Sequence, residues 1–200
     1  MKINIEDVLF WMDAIRNSSN RYRTLESFWK GQINSKIWLI DNLEKTQVKN
    51  WNKIIIYGGW NGVLATLIFN SNIKVNKITS VDIDPTCESI ASTMNKKYEM
   101  QNKFNAVTAN MCEYNEYSDV VINTSCEHIT QDQYDIWLNN ISNDSLIVLQ
   151  SNNYFELDEH IRCSYTLEDF ERSSNIDVIF RGELKTDKYT RFMLIGKKYV

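Results

Sequence analysis

The segment IIIYGGWNGVL, residues 54–64, decides the fold of this chain. Its consecutive isoleucines predict a buried strand, and the apolar residues after Gly62 predict a helix, so the glycines between them mark a sharp turn. Glycine tolerates positive φ and lets the backbone come close to a ligand. The N-terminus of the next helix offers free N–H groups and a partial positive charge to such a ligand. An ordinary turn without a ligand is the alternative.

Strand and helix patterns alternate from residue 53 onward. Strands are predicted at residues 53–57, 77–82, 104–108, 120–123 and 145–150, with helices at 62–70, from Pro85 through Tyr98, and at 132–140. The last two strand-like runs, 176–184 and 190–197, are too close in sequence for a parallel crossover and predict an antiparallel hairpin. We therefore predict an α/β fold, a Rossmann-like three-layer sandwich whose seven-stranded sheet is mainly parallel and ends in that hairpin.

The first 52 residues are predicted to form a helical cap within the same domain as the core, residues 53–200. One helix carries an apolar face made of Val8, Leu9, Phe10, Met12 and Ile15. A second helix is predicted from about Ser35 to Glu44, capped by Asn34 or Ser35.

Aromatic and basic residues lie between these two helices. Tyr22, Arg23 and Lys30 suit a substrate-binding lid that shields reactants and clamps an anionic group. The alternative is a permanent helical layer over one face of the sheet.

Composition excludes several classes of protein. The chain has 200 residues, a net charge of −4 and a pI of about 5.3, so no global basic field attracts nucleic acid. No apolar run reaches membrane-spanning length, and the polar start is not typical of a signal peptide. The four cysteines have no C-x-x-C spacing, which favours reduced thiols in a cytoplasmic protein. The oligomeric state stays open.

Polar residues follow each predicted strand at its carboxyl end, where ligands bind in open α/β sheets. Asp82 ends the second strand, 24 residues after Gly58, close to the spacing of acids that bind ribose hydroxyls. A helix-capping acid is the alternative for this position, and Asp84, directly before Pro85, suits that capping role better.

At these residues the chain resembles the class I S-adenosylmethionine-dependent methyltransferases, over about residues 53–197. The resemblance rests on the glycine turn, on VDIDP at 81–85, on ANM at 109–111, on residues 123–128 and on the terminal hairpin. In that family the turn holds the methionine part of the cofactor, the acid after strand two binds the ribose, and the pair after strand three holds the adenine. The resemblance implies S-adenosylmethionine as cofactor. The implied contacts are Gly58, Gly59, Trp60, Asn61, Gly62, Asp82, Ile83, Asn110, Met111 and Asn123.

The chain departs from the family pattern at three positions. Ile56 stands where an acidic residue is usual, Trp60 replaces the middle glycine, and Asn110 stands where Asp is common. A nicotinamide-dependent oxidoreductase is the alternative, but its G-x-G-x-x-G pattern is not matched and the terminal hairpin does not suit it. A non-catalytic cofactor-binding subunit is a further alternative.

Candidate catalytic residues follow the fourth strand. His128, beside Glu127, can remove a proton near neutral pH, whereas Cys126 is interpreted as a packed thiol. The single proline, Pro85, excludes the proline-containing motifs of DNA-base methyltransferases. We therefore predict methyl transfer to an oxygen or nitrogen of a small or medium polar substrate, contacted also by Asn152 and Tyr154.

A metal site is an alternative use of the same residues. It would join residues 158–160, which include His160, to Glu127 and His128. Two histidines among scattered carboxylates are a weak metal signature, so the sequence predicts no metal site.

Overall fold

The computed structural model describes residues 1–46 and 50–199, and the chain forms two compact units, Met1–Asn110 and Met111–Val200. Its strands are hydrogen-bonded in the order β3-β2-β1-β4-β5-β7-β6. They are β1 (Asn50–Tyr57), β2 (Lys74–Asp82), β3 (Phe104–Thr108), β4 (Val120–Asn123), β5 (Leu146–Asn152), β6 (Ile176–Lys185) and β7 (Thr190–Lys198). The pairs β1–β2, β2–β3 and β4–β5 are parallel, and β7 is antiparallel to both β5 and β6. The predicted seven-stranded, mainly parallel sheet with a terminal hairpin is confirmed.

Within the described residues, 1–46 and 50–199, the chain has eight α-helices, and none of them is long and apolar enough to cross a membrane. They are α1 (Ile5–Asn17), α2 (Arg21–Glu26), α3 (Lys30–Leu43), α4 (Val63–Phe69), α5 (Pro85–Met94), α6 (Lys96–Met100), α7 (Gln131–Asn140) and α8 (Leu167–Ser174). The predicted cap, residues 1–52, includes residues 47–49, and the predicted core ends at residue 200; these four positions lie outside the described residues.

Several predicted boundaries were wrong. Helix α3 begins at Lys30 with Trp29 as its N-cap, so neither Asn34 nor Ser35 caps it. The helix opened by Pro85 ends at Met94, and Tyr98 belongs to the separate helix α6. Helix α8 was not predicted, because its sequence is mostly polar.

The predicted helix termini around the glycine turn are confirmed. Gly62 is the N-cap of α4 in the left-handed conformation. Asp84 is the N-cap of α5, where it accepts a hydrogen bond from the Thr86 backbone, and Pro85 follows at the first helical position. Asn95 is the C-cap of α5, directly after Met94. Its Nδ2 donates to the Gly62 carbonyl at 3.1 Å and so links the C-terminus of α5 to the N-terminus of α4.

Helix α1 buries Asp7 and Ala14, and its predicted apolar face faces inward only in part, with Val8, Phe10 and Ile15 half-buried. Leu9 and Met12 are exposed, whereas Asp7 is fully buried. Its Oδ2 accepts hydrogen bonds from Asn70 Nδ2 at 2.6 Å and from the Tyr98 hydroxyl at 2.8 Å. These bonds decide which side of α1 faces inward, because a buried carboxylate must keep its donors.

We predict that Asp7→Ala destabilises the protein by about 1–3 kcal/mol, because the buried Tyr98 hydroxyl and the half-buried Asn70 amide lose this acceptor. Urea denaturation measures the effect. The matched control is Asp13→Ala on the same helix, whose exposed carboxylate should change stability little. Equal stability of the two variants would contradict this role for Asp7.

Arg23 joins helix α2 to the cap of α5. Its Nη1 lies 2.6 Å from Oδ2 of Asp84 and 3.1 Å from the Thr86 hydroxyl. The Thr86 hydroxyl and backbone N–H also donate to Oδ1 of Asp84. These bonds, with the Arg23 guanidinium, lower the pKa of Asp84 to about 2.

We predict a pH-dependent contribution from this carboxylate. Because its pKa is lower in the folded chain, its stabilisation is complete above the unfolded value of about 3.9 and is lost as pH falls toward about 2. Asp84→Asn keeps a good N-cap but removes the charge. Denaturation curves should therefore show wild type more stable than Asp84→Asn above pH about 4, with the gap closing toward pH about 2. A gap that stays constant across this range would contradict the assignment.

Candidate functional site

The glycine turn at the carboxyl end of β1 has three residues with positive φ. The angles are 61° at Gly58, 48° at Trp60 and 75° at Gly62. Gly59 has no such requirement, but a Cβ there would lie 1.9 Å from the Ser80 hydroxyl oxygen. Glycine is therefore favoured at 58 and 62 by the positive φ angle and at 59 by the lack of space for a Cβ. Trp60 has a positive φ angle that residues other than glycine rarely adopt.

Asp82 holds this turn together. Its Oδ2 accepts the Trp60 N–H at 2.8 Å, and its Oδ1 accepts the Asp84 N–H at 3.0 Å. The Gly59 N–H donates to the Val81 carbonyl at 3.1 Å, which fixes the same turn to β2. Each carboxylate oxygen can accept more than one hydrogen bond, so Asp82 keeps capacity for hydroxyl donors.

Other predicted cofactor contacts in the first unit differ in exposure. Ile83, next to Asp82, is 70% exposed and forms an apolar surface beside the carboxylate. Asn61 is only 2% exposed, and its Nδ2 has no hydrogen-bond partner among the described residues. Asn110, two residues after β3, is partly exposed.

The three residues predicted for a substrate lid also lie in this unit. Tyr22 on α2 is exposed, and Lys30, the first residue of α3, is exposed as well. Arg23 is engaged instead in the ion pair with Asp84. The structure thus brings Arg23 next to the Asp82 loop, a contact that sequence reasoning did not foresee.

Two predicted cofactor contacts in the second unit lie together. Asn123 ends β4, and its Nδ2 donates to the Met111 sulfur at 3.8 Å. Its Oδ1 accepts the Ser125 N–H at 3.0 Å, which shapes the turn into the short 3₁₀ helix Cys126–His128.

Glu127 lies in a buried ion pair with Arg191 of β7. Arg191 Nη1 lies 2.6 Å from Glu127 Oε1, and the two side chains are 8% and 4% exposed. Asn152 Nδ2 donates to the same oxygen at 2.7 Å, and Arg191 also donates to the Thr124 carbonyl. Sequence reasoning missed Arg191, although an arginine inside the apolar run of β7 is a signal that a buried partner exists.

His128 and His160 meet in the same unit. Their ring centroids are 4.7 Å apart, at an interplanar angle of 81°. Nδ1 of His128 lies 3.2 Å from the Glu159 carbonyl, and Nδ1 of His160 lies 2.7 Å from the Tyr154 carbonyl. His128 is exposed, so its ring is accessible to a ligand.

The predicted substrate residues Asn152 and Tyr154 have different surroundings. Asn152 is buried, and its Oδ1 accepts the Tyr154 N–H at 2.8 Å while its Nδ2 holds Glu127. The structure therefore gives Asn152 an internal bridging role in place of the predicted surface for substrate. Tyr154 is partly exposed, and its ring packs 5.6 Å from the ring of Tyr189.

The cysteine thiols near this site are protonated at neutral pH. Burial raises the pKa of Cys126 to about 12 and that of Cys163 to about 11. Cys126 is also fully buried and lies 3.6 Å from the Asn123 carbonyl. This agrees with its interpretation as a packed thiol.

No protein-family model and no curated protein matches the sequence. Solved structures with the same fold do match. The N-methyltransferase NodS from Bradyrhizobium japonicum WM9 has a TM-score of 0.66 at 9% identity and covers 84% of this chain and 97% of its own. MtNAS, solved in complex with MTA and tNA, has a TM-score of 0.65 at 12% identity and covers 97% of this chain and 70% of its own. The cyclase SpnF has a TM-score of 0.67 at 10% identity and covers 84% of this chain and 82% of its own.

At identities this low the likeness is one of fold, and the SpnF match shows that the fold serves more than one reaction. The strand order, the antiparallel hairpin and the glycine turn after β1 agree with that likeness. The chain has the fold of the class I S-adenosylmethionine-dependent methyltransferase superfamily.

Proposed function

We propose that the chain is a methyltransferase that moves a methyl group from S-adenosylmethionine to an oxygen or nitrogen of a small or medium polar substrate. The observation that carries the proposal is the turn at residues 58–62, fixed by the Asp82 carboxylate at the carboxyl ends of β1 and β2. This edge of an α/β sheet is where ligands bind.

The residues of the turn fit this cofactor chemically. The remaining lone pairs of Asp82 suit the two hydroxyls of a ribose, and the exposed side chain of Ile83 suits one face of an adenine. The unpartnered Nδ2 of Asn61 is a donor that a ligand oxygen would satisfy. MtNAS, which shares the fold, has been solved with MTA, and a mutant of it with S-adenosylmethionine. We assign Gly58, Gly59, Trp60, Asn61, Gly62, Asp82, Ile83, Asn110, Met111 and Asn123 to the cofactor.

When bound, the cofactor supplies a methyl group activated by its sulfonium. The protein then has to align the acceptor with that group and exclude water, which accounts for most of the rate enhancement in such transfers. His128 is the proposed general base. Because a carbonyl oxygen can only accept, Nδ1 of His128 donates to Glu159, and Nε2 keeps a lone pair for the acceptor's proton.

Glu127 supports this arrangement as a positioning residue. It is buried in its ion pair with Arg191, so it does not reach the acceptor itself, but it fixes the 3₁₀ helix that carries His128. Removing one partner of a buried ion pair typically costs about 3–5 kcal/mol. Glu127 therefore positions His128 by fixing the backbone of this 3₁₀ helix and does not contact the substrate.

Tyr22 and Lys30 are the proposed substrate contacts of the N-terminal helices, because both are exposed aromatic or cationic side chains. Arg23 orients α2 through Asp84. Tyr154 offers a partly exposed ring from the second unit. A small polar acceptor with an anionic group suits Tyr22 and Lys30.

We predict that S-adenosylmethionine binds with a micromolar Kd, about −8 kcal/mol. Asp82→Asn should weaken binding by about 1–3 kcal/mol, because a charged acceptor of hydroxyl hydrogen bonds is lost. Isothermal titration calorimetry measures both. Asp84→Asn, the same charge change two residues away, is the matched control and should bind as wild type does. Binding of a nicotinamide dinucleotide in place of S-adenosylmethionine would identify an oxidoreductase and overturn the proposal.

A second prediction concerns the base. His128→Gln should lower turnover by about 100-fold or more while cofactor affinity stays near the wild-type value. Turnover is followed with methyl-labelled cofactor and fractionated small-molecule extracts. Glu159→Gln is the matched control, because only the backbone carbonyl of Glu159 contacts His128. Full turnover in His128→Gln would remove the base assignment, and absence of turnover in wild type with tight cofactor binding would favour a non-catalytic subunit.

A further inference from the structure

The two histidines of the sequence, 32 positions apart, lie side by side with a buried carboxylate. One ligand atom from each of Glu127, His128 and His160 lies within 4.8 Å of the others. We propose that these three side chains bind a divalent transition-metal cation of the zinc type. The proposal concerns cation binding alone and does not depend on methyl transfer.

Both imidazole rings are held as metal-binding histidines are held. Nδ1 of His128 donates to the Glu159 carbonyl, and Nδ1 of His160 donates to the Tyr154 carbonyl. Histidine ligands almost always donate their second ring N–H to a carbonyl, a carboxylate or water, which fixes the tautomer and the ring orientation. In both rings Nε2 is left with the lone pair that coordinates a cation.

Glu127 supplies the independent observation. Its Oε1 is occupied by Arg191 and Asn152, but its Oε2 is buried and has no hydrogen-bond partner among the described residues. A buried carboxylate oxygen without a partner is costly, and a cation beside it would remove that cost. Arg191 and Asn152 then orient the Glu127 carboxylate that binds the cation, as residues around the ligands of metal sites do.

The ligand set selects the cation. Two imidazoles and one carboxylate form the protein ligands of catalytic zinc sites, which leave one position open. Magnesium and calcium prefer oxygen ligands, so two nitrogens disfavour them. In a tetrahedral zinc site the ligand atoms lie roughly 3.4 Å apart, as follows from the usual bond lengths. The ligand atoms of this cluster, within 4.8 Å of one another, would move closer together on binding the cation.

A bound cation would change the chemistry assigned to His128. Coordination uses the Nε2 lone pair, so His128 cannot bind the cation and accept a proton at once. The open position of the cation would instead lower the pKa of a bound water or acceptor hydroxyl, whose proton leaves to solvent. A substitution of His160 distinguishes the two roles of His128. A general base requires only His128, whereas the cation site requires both histidines.

The test is calorimetric titration of the metal-free 200-residue protein with Zn²⁺ in the absence of cofactor. We expect one equivalent to bind with a micromolar or lower Kd, and His160→Gln to weaken binding at least about 30-fold. Glu127→Gln should weaken it as well, and circular dichroism checks that this variant folds. Mg²⁺ at millimolar concentration should not compete.

Glu159→Gln is the matched control, because it removes a carboxylate from the same loop but no ligand atom of the cluster. It should bind Zn²⁺ as wild type does. Unchanged zinc affinity in His160→Gln would place the cation elsewhere, for example at the thiols, and would overturn the proposal. Absence of zinc binding by wild type would overturn it equally, and neither result would affect the proposed methyl transfer.

Discussion

The carboxylate of Asp82 is the constraint on which the first unit depends. One of its oxygens accepts the N–H of Trp60 and the other accepts the N–H of Asp84. These two bonds link the turn after β1 to the start of the helix after β2, so two helix N-termini are set at one edge of the sheet. The geometry explains why a tryptophan is tolerated at positive φ in the middle of the turn. The hydrogen bond to its own N–H offsets part of the cost of that conformation.

The second unit is organised in the same way around a different carboxylate, that of Glu127. Glu127 would be costly to bury alone, and Arg191 and Asn152 make its burial possible. The same contacts fix the segment that carries His128. Thus each unit has one anchored carboxylate that fixes the local backbone. In the first unit the two carboxylate oxygens of Asp82 each accept a backbone N–H; in the second, one oxygen of Glu127 is buried without a hydrogen-bond partner among the described residues.

The fold could be predicted from sequence because its signals are local. The isoleucine run before the glycines, the acid before Pro85 and the short loop in the terminal hairpin each depend on neighbouring residues only. The orientation of α1 could not be predicted this way. Apolar periodicity placed Leu9 and Met12 inward, but Asp7 is buried because its partners, Asn70 and Tyr98, come from distant segments.

The candidate site residues also depend on contacts that are distant in sequence. Asp82 was predicted as a cofactor contact from its spacing to Gly58, and in the structure it accepts the N–H groups of Trp60 and Asp84. Arg23 and Asn152 were predicted as substrate contacts, yet each has an internal partner that only the tertiary structure reveals. The approach of His160 to His128 is a further case: the two lie 32 positions apart, so the sequence offered their joint metal site only as a weak alternative.

The proposed binding site for the sulfonium cofactor is the turn fixed by Asp82. Amide hydrogen exchange, with and without the demethylated cofactor S-adenosylhomocysteine, tests it most directly. We expect exchange to slow in peptides covering residues 58–62 and 82–84 when this ligand is present, and a nicotinamide dinucleotide to leave both peptides unchanged. Exchange at residues 58–62 that is the same with and without S-adenosylhomocysteine would show that the turn does not bind this cofactor.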